Sequence, residues 1–254
     1  MKIFLFLFSF FVCHNTNAQT VTVDYVEQKS ISKEKFDELP DFVKVDLLRK
    51  KYFQLISSQG ISLYRYVSID SADSLKSTVV KVDSFGNKNI TNSFFVDKSI
   101  KNEDFYIKDV ANRQLIFQLL NGSKIFNGKD SFLNWNWNIT DEVKELNGYN
   151  CRKAIGNRNN VNYVAWFTED IAINDGPNKI NGLPGLIVYV SNPYFEYYAT
   201  KISIESENKN IEIPALVDKT YTFAEMDEYL MKNRPKNSTR VDGNTTVKTM
   251  VIGN

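Results

Sequence analysis

Three carboxylates, Glu169, Asp170 and Asp175, lie within one short stretch, and such groups can share a hard cation or divide acid and base roles between them. Their spacing fits no calcium-binding loop. Asp175-Gly176-Pro177-Asn178 also has the composition of an ordinary turn, in which the aspartate caps its own backbone. A second group, Asn134-Trp135-Asn136-Trp137-Asn138, interleaves indoles with amides. As a strand it places both indoles on one face, either as core or as a platform for a sugar. Tyr194, Phe195, Tyr197 and Tyr198 form a third group, suited to floor an apolar ligand site or to fill a core. Strand alternation turns Tyr198 away from Phe195 and Tyr197, so all three are core only if both faces are covered.

The ends of the chain remove other chemistry. Met1-Lys2 precedes the apolar run Ile3 to Val12, and Thr16-Asn17-Ala18 offers small residues where a signal peptidase reads, which predicts a cleaved leader over residues 1–18. That run is too short to span a bilayer, and no later stretch reaches 18 apolar residues. Cys13 follows Val12 directly, which does not fit a lipoprotein signal. Removing 18 of 254 residues leaves 236, with 30 basic and 30 acidic side chains and no basic block, so nucleic acid is not an expected partner. The only histidine, His14, leaves with the leader, and Cys151 becomes the sole cysteine. A Ser-His-Asp triad, a Cys-His pair, a histidine-ligated zinc site and an internal disulfide are thereby excluded from the mature chain. No catalytic residue, metal ligand or cofactor is assigned. The chemistry left is a carboxylate pair such as Asp170 with Asp175, or a serine activated by a lysine.

The most specific string is Gly182-Leu183-Pro184-Gly185-Leu186-Ile187. None of its side chains can attack, donate a proton or hold a metal, so its role runs through backbone shape and apolar contact. Pro184 fixes its own φ and biases Leu183 toward an extended form, while Gly182 and Gly185 permit positive φ or close backbone approach. Two readings follow: a loop presenting Leu183, Leu186 and Ile187 to a ligand, or a turn packed under a sheet. The second is favoured because Leu186 to Val190 continues as an apolar strand. Upstream lie Gly148-Tyr149-Asn150-Cys151-Arg152-Lys153-Ala154, Trp166-Phe167-Thr168-Glu169-Asp170-Ile171 and Gly176-Pro177. Together with the hexapeptide these resemble the GLPGLI family of secreted bacterial proteins, tightly over residues 135 to 205 and loosely before that. The resemblance implies a location and a fold but no activity. Cys151 sits in a strand-like stretch, and burial as a small hydrophobe is its expected state.

The elements that must position these groups read as short strands between turns. The alternation Val21, Val23, Tyr25 starts a strand; Tyr52 to Ile56 and Ile61 to Ile69 flank Ser57-Ser58-Gln59-Gly60 as a hairpin. Further strands are predicted at Phe105 to Asp109, Leu115 to Leu120, Trp135 to Ile139, Asn150 to Ala154, Val161 to Phe167, Leu186 to Val190 and Phe195 to Ile204. Val161 to Phe167 is apolar on both faces, which predicts a central or doubly covered strand. Phe42, Val45, Leu47 and Leu48 fit a short helix, and Thr222-Phe223-Ala224-Glu225 has capping-box spacing for a helix over 223–233.

The expected architecture is mostly β: one domain over residues 19–234 built on a twisted antiparallel sheet of half-barrel form, with one or two short helices, then a polar tail over 235–254. The expected protein is secreted or periplasmic and spans no membrane. Its expected function is to bind an apolar ligand, lipid or extended peptide through Leu183, Leu186, Tyr194, Phe195, Tyr197 and Tyr198, or to serve an envelope partner. A histidine-free enzyme or a purely structural envelope protein are the alternatives.

Overall fold

The computed structural model describes residues 19–39, 44, 47–69, 76–82, 88–94, 104–121, 124–216, 219–233, 238–242 and 245–249. The leader, Phe42 and Val45 lie outside these residues. In chain order the elements are β1 (Thr20–Lys29), α1 (Lys33–Asp37), β2 (Lys51–Ser58), β3 (Ile61–Ile69), β4 (Lys76–Val82), β5 (Lys88–Phe94), β6 (Phe105–Asp109), β7 (Gln114–Asn121), β8 (Lys124–Ser131) and β9 (Asn138–Leu146). There follow β10 (Tyr149–Arg158), β11 (Val161–Thr168), β12 (Leu186–Ser191), β13 (Phe195–Glu205), β14 (Thr220–Tyr221), α2 (Phe223–Lys232), β15 (Ser238–Asp242) and β16 (Thr245–Thr249).

The alternating residues Val21, Val23 and Tyr25 are all at most 2% exposed, and their strand β1 sits in the middle of the sheet. It pairs antiparallel with β2 on one side and β13 on the other, so Val23 lies between Leu55 and Ile202. Two meanders meet at this junction. One runs outward through β2, β3, β6, β7 and β8, the other through β13, β12, β11, β10 and β9. The two-residue β14 adds parallel to β8, which makes the 12-stranded sheet mixed and leaves it open, with β14 and β9 at its edges. β4 pairs with β5 and β15 with β16 in separate antiparallel pairs, the latter within the segment read from sequence as a polar tail.

Among the described residues, three hairpins turn on a residue pair at positive φ: Gln59-Gly60, Asn147-Gly148 and Asn159-Asn160. That left-handed pair matches the twist of the flanking strands, and asparagine and glycine adopt it most readily. Register shifts at Asp24/Tyr25, Tyr52/Phe53, Arg152/Ala154 and Trp166/Phe167 add local bends.

One core cluster joins Tyr25, Leu55, Tyr64 and Phe117 with Phe223 and Met226 of α2. Phe117 lies flat over Gly128, where a Cβ would stand 1.9 Å from its ring, and stacks on Phe223 at 4.4 Å. The predicted capping box holds α2: Glu225 N donates to Thr222 Oγ1, Thr222 N donates to the Glu225 carboxylate, and Asp130 accepts from Phe223 N at 2.9 Å. The second cluster gathers Trp135, Ala154, Ala165, Phe167, Ile180, Leu183, Ile187, Val190 and Tyr197. Trp135 and Trp137 do not lie on the strand predicted for them. Residues 132–137 are irregular, Asn136 takes φ 46°, and β9 begins only at Asn138. β8 is absent from the predicted strands and β9 is anticipated only at Asn138 and Ile139, because the polar composition of both hides the alternation.

Candidate binding site around the hexapeptide loop

Between β11 and β12 the chain leaves the sheet, folds back over it and returns at Leu186. Leu186 N donates to Ile171 O at 3.1 Å, Ile187 N to Asp175 O at 2.9 Å, and Asp175 bridges Asn181 as an isolated antiparallel pair. The hexapeptide closes this loop. Gly182 takes φ 97° and donates its N–H to Asn174 Oδ1 at 2.6 Å. At Gly185 a Cβ would stand 2.0 Å from Thr168 O, so only glycine lets the returning chain lie this close to β11. Leu183, Leu186 and Ile187 are 0% exposed. The motif is therefore a plug seated in the sheet by its leucines and isoleucine, with Gly182 and Pro184 left at the surface.

The loop is pinned from across the sheet by Lys108, a residue absent from the candidates read from sequence. Lys108 on β6, 1% exposed, sends its ammonium to the Asp175 carboxylate, to Gly176 O at 2.6 Å and to Ile180 O at 3.3 Å. Three donors meet three acceptors, which offsets part of the cost of burying the ammonium. Burial pulls the Lys108 pKa down while the Asp175 charge opposes it. Asp175 also accepts from Gly176 N at 2.7 Å. From β1, Tyr25 donates its hydroxyl to Ile187 O; burial, then the Asp175 charge, raises its pKa well above the usual range. The available signal was the period of two in β6, which puts Lys108 on the inward face shared with Tyr106.

The three carboxylates do not converge. Asp175 is bound to Lys108, Glu169 pairs with Arg152 at 3.1 Å on the surface, and Asp170 is exposed. Among the described residues no cluster of three or more His, Cys, Asp or Glu is placed to hold a metal. The six candidate ligand-binding residues are likewise separated. Leu183, Leu186 and Tyr197 are core, the last accepting from Asn178 Nδ2 at 3.2 Å. Tyr194 and Phe195 are 59% and 37% exposed at the turn into β13, and Tyr198 is half-buried with Lys50 Nζ 6.0 Å from its ring. Cys151 is fully buried, and burial pushes its thiol pKa up to about 11. Trp166 is half-buried under Lys144, whose Nζ lies 5.0 Å from the indole.

Two of the grooves among the described residues have volumes near 600 Å³. The first, about 590 Å³, lies where Leu63 and Arg65 of β3 pair with Ile107 and Phe105 of β6, on the face opposite Tyr64 and Tyr106. Its other wall is the extended segment Glu212, Ile213, Pro214 and Ala215. That segment follows β13 and is moored where Thr20 Oγ1 donates to Glu207 O at 2.6 Å and accepts from Lys209 N at 3.0 Å. The second groove, about 610 Å³, lies beside the hexapeptide and is lined by Trp135, Trp137, Asn134, Asn136, Asn174, Asn181, Gly182 and Arg113 among others.

No helix among the described residues is long and apolar enough to cross a membrane. None of the curated proteins matches the chain. Two solved structures of PNGF-II, in space groups C2 and P21, match it with TM-scores of 0.51 and 0.53 at 15% identity. Each match covers 90% of this chain but 36% of the PNGF-II chain, so the likeness is one of fold and spans about a third of that protein. A family described as "Protein of unknown function (Porph_ging)" matches residues 157–189, a stretch that runs from the end of β10 through the whole hexapeptide.

Proposed function

We propose that this chain is a secreted binding module of the GLPGLI type that holds an apolar ligand, in the simplest case an acyl chain, in the groove between β3, β6 and residues 212–215. The groove carries the reading: Leu63, Phe105, Ile107, Ile213, Pro214 and Ala215 line a volume of about 590 Å³, within the range of small-ligand sites. Both of its strands are paired on both sides, β3 with β2 and β6, and β6 with β3 and β7, so no main-chain edge is open there to receive a peptide strand. An acyl chain asks for no such partners. Arg65 lines the groove together with Asp104 and Glu212, so its rim carries charge of both signs beside the apolar lining. Binding is favoured over carboxylate catalysis because Asp175, the best-placed acid of the three, is held by Lys108. The match over residues 157–189 supports the family assignment, and the leader-like start supports export to the bacterial envelope.

The test is titration of the mature protein with cis-parinaric acid, followed by displacement with palmitate. Saturable binding of one probe per chain, weakened by Ile213→Asp at unchanged circular dichroism, is expected. Absence of saturable binding, or binding indifferent to Ile213→Asp and Leu63→Asp alike, would refute the reading.

A further inference from the structure

The second groove has a different chemistry. Its lining mixes two indoles with four asparagines, and among the described residues that line it Arg113 alone is charged. Trp135 and Trp137 stack with centroids 6.0 Å apart and planes 20° from parallel. Both are fixed in place. Trp137 rests on Gly156, where a Cβ would stand 2.7 Å from the ring, and donates Nε1–H to Asn181 O at 2.9 Å. Trp135 meets Tyr163 edge-on at 5.0 Å, with the Arg158 guanidinium 5.6 Å from its centroid. Trp135, which also lines the groove, has a buried Nε1 with no hydrogen-bond partner among the described residues. Asn134 and Asn174 spend their Oδ1 atoms on the N–H groups of Asn136 and Gly182, which orients the amides, and all three of Asn134, Asn136 and Asn174 are exposed.

We infer that this groove is a second binding site, separate from the apolar one, for a neutral oligosaccharide. A pyranose ring offers C–H groups on its face and hydroxyls around its rim. Half-exposed Trp137 supplies an apolar surface for the face, and the amides supply paired donors and acceptors for the hydroxyls. The described lining holds no carboxylate, which sets the site apart from one for cations, and a single arginine is too little for a polyanion. The irregular stretch 132–137 serves this arrangement: the left-handed turn at Asn136 puts Asn134, Asn136 and both indoles around one groove, which a regular strand would divide between two faces.

The test uses four neutral hexasaccharides, maltohexaose, cellohexaose, laminarihexaose and chitohexaose, each titrated into the mature protein by calorimetry and by tryptophan fluorescence. Saturable binding of at least one, with a fluorescence change, is expected. Trp137→Ala should weaken it at least tenfold. Asn136→Gly, which keeps the left-handed backbone and removes only an exposed amide, should weaken it about threefold in a protein of unchanged stability. Failure of all four sugars to bind at about millimolar concentration overturns the assignment, as does binding that neither variant weakens. Palmitate displacing the sugar would also overturn it, since that places both ligands in one site.

Discussion

Replacing Lys108 with methionine tests whether the loop is pinned from across the sheet. The variant keeps the volume and apolar stem of the side chain but strands the Asp175 carboxylate in a site where Lys108 was 1% exposed, and it leaves Gly176 O and Ile180 O without their donor. Removing one partner of a buried pair costs about 3–5 kcal/mol. Set against a total stability of about 5–15 kcal/mol, that is about a fifth of the fold or more. At about 2–4 °C per kcal/mol for a domain of this size, the melting temperature should fall by about 6–20 °C. Urea unfolding followed by circular dichroism measures the loss. Adding Asp175→Asn removes the orphaned charge and keeps an acceptor for Gly176 N, so the double variant should recover about 1–2 kcal/mol relative to Lys108→Met. A single-variant cost below about 1 kcal/mol, or a double variant as unstable as the two singles added, would refute the reasoning.

Gly185→Ala should destabilise by about 3 kcal/mol in the same assay, because the new methyl meets the Thr168 carbonyl, whereas Pro184→Ala at the surface should cost under about 1 kcal/mol. Equal losses in the two would contradict the close-approach argument. Tyr25, Tyr64, Tyr106 and Tyr197 have pKa values raised by burial, so the unfolded chain ionises first and stability should fall as pH climbs past about 10. The lowered pKa of Lys108 acts oppositely, adding stability as pH rises toward the ordinary lysine value, but it is one group against four. A urea midpoint unchanged from pH 8 to pH 11 would count against this. Cys151 should resist a thiol reagent at pH 8 in the native protein and react at once in urea; fast native labelling would place the thiol at the surface.

The parts of this fold that were readable are those set by neighbours in sequence. The alternation in β1, the two-faced apolarity of β11 and the capping box of α2 each depend on a few adjacent residues, and each appears in the structure. What was hidden depends on distant pairing. Nothing near Thr20 announces that β1 will sit between β2 and β13, since its partners in β13 lie far along the chain. Asn138–Leu146 is an edge strand crowded with charge, as edge strands often are, so it lacked the apolar rhythm of a buried one. The same limit applied to the sites. Period two separates Tyr197 from Tyr198 without saying which face is inward, and the apolar run after the hexapeptide favours a packed turn without saying what holds it; the structure buries Tyr197, Leu183 and Leu186. The indole and amide pattern was read as core or as a platform, in either case through a strand geometry that the left-handed Asn136 replaces, and the structure buries Trp135 while leaving Trp137 half-exposed.

The claim that this chain carries an apolar ligand is tested most directly by native mass spectrometry of the protein purified from its own host, followed by denaturing extraction. The account predicts one acyl-chain compound per protein, lost in Ile213→Asp, on a polypeptide whose mass matches cleavage after Ala18. A bare chain from the host envelope, with Ile213→Asp indistinguishable from it, would contradict the account.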